Sequence, residues 1–150
     1  MFSSRLIQLI EGHADQITTK IIQQIRADPD LRALGELPEF DLQDKARGIL
    51  KNLGHWLFSK DDEIAMHYQR LGRMRFEESV PLHEILRALQ IIKENMISFA
   101  REQGMAGTAV DIYAEEELEY SVDRFFDHLI YHFVRGYEVA LREAVHLPQH

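Results

Sequence analysis

From Thr108 to about Val145 the chain contains no proline and a single glycine, Gly136. Leu118, Val122, Phe126, Leu129, Phe133, Tyr137, Ala140 and Ala144 recur there at about 100° per residue, and Phe125, Ile130 and Leu141 widen the same face. Thr108, with Asp111 three residues on, supplies a capping-box start. One continuous helix of this run would be roughly 55 Å long. A compact domain of this chain length is only about 30–40 Å across. Either the helix bends near Gly136, or its last turns project and pack on something else. A second copy of the chain is the simplest cover, with Phe133, Tyr137 and Leu141 as its contacts.

The rest of the chain repeats the pattern on a smaller scale. From about Ser4 to Ala27, Leu6, Ile10, Ala14, Ile17, Ile21 and Ile25 define one helix, with His13 beside its apolar face. Asp28-Pro29 starts a short helix that Gly35 stops. Leu31, Leu34, Leu37 and Phe40 then form an apolar connection that Pro38 keeps from being helical throughout. A second long helix is expected from Asp41, capped through Asp44, with Leu42, Ala46, Ile49, Leu50, Leu53, Trp56 and Leu57 as its stripe. Ser59 to Asp62 fits a further capping box, and a third helix follows to about Glu78. Val80 before Pro81 is forced out of helical geometry, so the next helix begins at Pro81 and ends at Gly104. No strand pattern or internal repeat appears. The expected fold is all-α, an antiparallel bundle of five long helices plus one short helix, with a globin-like arrangement as the alternative.

Composition removes several function classes. One domain of 150 residues without cysteine has no disulfide, thiolate nucleophile or zinc–thiolate site. No segment reads as a signal peptide and no apolar run reaches the ~20 residues of a membrane span, so the cytoplasm is the expected location. A formal net charge of −8 repels nucleic-acid phosphates and anionic lipid. No convergent acid–base set or phosphate-binding loop is present, so an enzyme is not expected.

In the third helix Ile64, Tyr68 and Leu71 share a line, and Arg75 falls on it too. A guanidinium on an apolar face must find acids or carbonyls. Glu84, across the Ser79–Pro81 joint, is one candidate partner. Two readings stand: a clamp between helices, or a small polar pocket for an anionic ligand lined by Arg75, His67 and His13. Gly72, which weakens the helix by about 1 kcal/mol, implies close approach of another helix. Gly72 and Pro81 together mark a packing joint. His128 and His132, spaced i, i+4, can present two imidazoles to one metal, but no H-E-x-x-H is present. Haem through His67 is a further alternative. No metal and no cofactor are expected.

His67, Tyr68, Leu71, Gly72, Arg75, Glu77, Pro81, Leu82, Glu84, Ile85, Leu86, Arg87, Ala88 and Leu89 form a spaced pattern. It resembles the N-terminal helical domain of RsbRD-type proteins, the RsbT co-antagonists of bacterial stressosomes. The resemblance implies a non-enzymatic sensory or regulatory input domain, helical and dimeric, working with a kinase or other output module. No output module follows within these residues, which leaves a fragment or a free-standing regulator as the expectation.

Overall fold

A computed structural model describes residues 2–103 and 107–146. They form eight α-helices and one 3-10 turn, with no strand among them. The expected stops at Gly104 and at Leu147-Pro148 lie outside the described residues. The count exceeds the expected five plus one because two of the expected long helices are broken.

The first break separates α1 (Ser4–Gly12) from α2 (Ala14–Ala27). Gly12 is a poor helix former. His13 leaves helical geometry at φ −113°, ψ 20°, and its Nδ1 sits 2.8 Å from the Leu9 carbonyl. A 3-10 turn, Pro29–Leu31, follows, with Asp28 accepting from the Asp30 N–H as its cap, and leads into α3 (Arg32–Gly35). Pro38 then starts α4 (Glu39–Leu50), two residues before the expected Asp41 and without a side-chain cap. The second break, at Lys51-Asn52, separates α4 from α5 (Leu53–Leu57). There the Gly48 carbonyl accepts from the Asn52 side-chain amide at 3.3 Å and from the Trp56 indole at 2.9 Å.

Next come α6 (Asp61–Glu77), α7 (Leu82–Gln103) and α8 (Ala109–Val145). The Ser59 capping box does not form, because its hydroxyl donates to the His55 carbonyl instead. The Thr108 cap does form, accepting from the Asp111 N–H at 3.2 Å. The neighbours α7 and α8 are antiparallel, tied by Lys93–Asp123 at 2.5 Å and Arg101–Glu119 at 3.2 Å. The most extensive pairing, α6 with α8, is parallel. Asp61 meets His128 and His132, Gly72 meets Phe133 and Tyr137, and Arg73 pairs with Glu143.

Two glycines permit that pairing. A methyl at Gly72 would collide with the Phe133 carbonyl and the Tyr137 amide, and one at Gly136 would collide with the Gln69 backbone. The backbones therefore touch, as small residues allow. The core runs along α8, where Leu118, Val122, Phe126, Leu129 and Phe133 are fully buried. Phe133 belongs to this interior and is not free for a dimer contact. Tyr137 is half-buried, edge-on to Phe76, and donates its hydroxyl to the Val80 carbonyl. Leu141 is 43% exposed. From Leu141 to His146 every residue of the last turns is exposed.

The α6–α7 joint is a Schellman ending. Ser79 takes φ 63°, its N–H donates to the Phe76 carbonyl, and the Val80 N–H reaches back to Arg75 at 3.1 Å. Val80 is buried, and its carbonyl binds Tyr137. The joint is thus pinned to α8.

Candidate functional site

Arg75 is buried, with 5% of its side chain exposed. Its Nη1 donates to Asp41 Oδ2 and to Glu78 Oε1, each at 2.7 Å. The expected partner, Glu84, is not among them. Glu84 is itself buried, and its Oε1 accepts the Leu34 N–H at 3.0 Å, so it fixes α3 to α7. The guanidinium joins α6 to α4, and Asp41 also lies 3.5 Å from Lys45.

Above Arg75 lies a cavity of about 310 Å³. Six helices wall it: α2 with Ile21 and Ile25, α3 with Leu34, α4 with Leu42 and Ile49, α6 with Tyr68 and Leu71, α7 with Ile85 and Leu89, and α8 with Leu129 and Phe133. The walls are apolar because each helix turns its hydrophobic stripe inward. Polar groups gather at Asp44, Lys45, His67 and Arg70, three of them exposed and Lys45 partly so. Its size and lining, mostly apolar with a few converging polar groups, are those of a small-molecule site.

His67 stands at this opening with its ring 4.7 Å from Tyr68 and 5.1 Å from Trp56. Partial burial of the ring holds its pKa below the usual imidazole range, and the nearby charges of Lys45 and Arg70 push the same way. Tyr68 is buried, and that burial drives its phenol well above the ordinary range. His13 is not part of the cavity. It is exposed, with its ring 5.2 Å from Phe99 of α7. The expected trio of Arg75, His67 and His13 is therefore split: the cavity unites the first two and excludes the third. Lys45 and Arg70 were not expected at a site because they lie on the polar side of their helices, and Asp41 was expected only as a helix start.

A second cluster lies on the same helix pair. The Asp61 Oδ1 is 2.7 Å from His128 Nδ1 and 3.1 Å from His132 Nε2. Hydrogen bonds from His132 and His128 hold the Asp61 carboxyl below its usual range. His132 is buried at the α6–α8 crossing, with its Nδ1 3.5 Å from the Gln69 amide. The i, i+4 spacing marks both histidines in the sequence, whereas Asp61, 67 positions before His128, has no local signal.

Among the described residues no helix is long and apolar enough to cross a membrane. No curated protein and no solved structure matches the chain. Residues 15–147 match the family model described as the RsbT co-antagonist protein rsbRD N-terminal domain. That match spans α2 to the end of α8 and includes the Gly72 crossing, the Arg75 clamp and every wall of the cavity. The chain belongs to the family of rsbRD N-terminal domains, a family of signalling and regulatory domains.

Proposed function

We infer that this chain is a non-catalytic sensory input domain whose central cavity receives a small apolar or amphipathic anionic molecule. The observation that carries the reading is the cavity itself, walled by all the longer helices except α1. Met74, Arg75, Leu129 and Phe133 put the α6–α8 pair directly in its wall. An occupant would shift the packing of α6 on α8, and α8 would carry that shift to its exposed end. There Leu141 and Val145, 43% and 63% exposed, offer an apolar strip to a second copy. The chain works as a dimer through those turns and passes its state to a regulatory protein partner.

The direct test uses an anilinonaphthalene sulfonate dye, which combines an apolar ring system with one negative charge. The folded protein is expected to bind one dye per chain. Ala88→Leu, which fills the cavity from α7 without disturbing Arg75, should abolish that binding at unchanged thermal stability. Undiminished binding in Ala88→Leu would remove the cavity from the account. A Soret band on protein purified from its host would replace the reading with a haem sensor using His67.

A further inference from the structure

We propose that Asp61, His128 and His132 bind a first-row divalent transition-metal ion such as zinc, tying the start of α6 to the middle of α8. This site is separate from the cavity and does not depend on it, since none of the three residues lies in the cavity wall.

The geometry fits the ion. One ligand atom from each residue lies within 4.8 Å of the other two. Bonds of about 2.0–2.2 Å to imidazole nitrogen and carboxylate oxygen set neighbouring donors roughly 2.9–3.5 Å apart at tetrahedral or octahedral angles. The two nitrogen–oxygen separations here are 2.7 and 3.1 Å. The two imidazole nitrogens fall within the same 4.8 Å limit, and the His128 side chain, 43% exposed, has room to turn toward an ion.

The chemistry selects the metal class. Two imidazoles and one carboxylate suit zinc, cobalt, nickel or ferrous ions, whereas magnesium and calcium take oxygen donors. Two surrounding features suit a coordination site. The Gln69 amide nitrogen lies 3.5 Å from the far nitrogen of His132, and turning that amide over would present its oxygen to the N–H of a metal-bound ring. Asp61 and His128 also line a second cavity of about 260 Å³ with Trp56, Ser121 and Arg124. That space leaves room for water or an exchangeable ligand on an ion held by three protein donors.

The consequence is mechanical. α6 and α8 already touch at Gly72 and Gly136. A metal at the start of α6 would fix that pair at a second point, and metal supply would become an input to the same two helices.

The experiment titrates the chelator-treated 150-residue chain with Zn2+ by calorimetry and with Co2+ by visible absorbance. One ion per chain is expected, with cobalt ligand-field bands and a raised melting temperature in Zn2+. Asp61→Asn and His128→Gln change exposed side chains, and each should weaken binding beyond the roughly 10–100-fold that a supporting partner of a ligand is worth. His13→Gln, on a distant histidine, should bind as the unaltered protein does. If either ligand variant fails to fold, the imidazole nitrogen resonances of the unaltered protein decide, because Zn2+ must perturb those of His128 and His132. The absence of binding, equal binding in the ligand variants, or perturbation of other histidines alone would overturn the proposal.

Discussion

Ser79 shows how one residue sets the joint. It holds a left-handed conformation at φ 63°, which a side chain makes unfavourable. Ser79→Gly is expected to stabilise the protein by about 0.5–1 kcal/mol, read as a higher urea midpoint at unchanged slope. Arg75 works in the opposite sense. Arg75→Met would leave Asp41 and Glu78 facing each other without their shared cation. Both acids are partly exposed, so the expected loss is about 1–3 kcal/mol, below the range for a fully buried pair. Unchanged stability together with unchanged dye binding would show that Arg75 is neither a clamp nor part of a binding site. Tyr68 adds a pH dependence. Its folded pKa lies above the unfolded value, so the unfolded chain loses this proton first. Its contribution is complete below about pH 10 and declines as pH rises further. Urea midpoints measured on either side of that pH should fall less in Tyr68→Phe than in the unaltered chain. The burial of Arg75 was legible because it lies on the line of Ile64, Tyr68 and Leu71. Its partner was not, since Asp41 is 34 positions away and only the tertiary fold brings it near.

At the level of elements, the crossing of α6 and α8 is the feature most sensitive to substitution. Gly136→Ala gains helix propensity of about 1 kcal/mol. It also drives a methyl into the Gln69 backbone, which cannot yield as a flexible side chain would. The expected net effect is destabilisation at or beyond the upper end of roughly 1–3 kcal/mol, measured by thermal or urea unfolding. An unchanged or raised midpoint would mean that the helices do not cross this closely. Gly72 signalled the close approach in the sequence, because an isolated glycine in a helix needs such a reason. The parallel sense of the α6–α8 pair carried no such signal; α7 and α8, neighbours in sequence, are antiparallel. The breaks at His13 and at Lys51-Asn52 were also hidden, since they leave the apolar spacing undisturbed; beside each, a side chain bonds a helix carbonyl, Leu9 or Gly48. The two histidines were visible as an i, i+4 pair, and only folding supplies Asp61.

On the scale of the whole molecule, the all-helical class followed from spacing alone, and the spaced residues from His67 to Leu89 pointed to the family that residues 15–147 match. A small polar pocket at Arg75 and His67 was one of two readings, but the extent and apolar walls of the cavity did not follow, because it is the space left between six helices and no single stripe encodes it. α8 links the two ends of the proposed device: Leu129 and Phe133 wall the cavity, and Leu141 and Val145 stand exposed beyond it. Lysines at both exposed positions should turn a sedimenting dimer into a monomer while leaving dye binding intact. The central claim is that occupancy of the cavity is felt at the far end of α8. Hydrogen exchange of the backbone amides of residues 138–145, with and without the dye, measures this directly. The unaltered protein should show altered protection there on dye binding, and Ala88→Leu should show none. Dye bound in the cavity with exchange in those turns unchanged would contradict the claim.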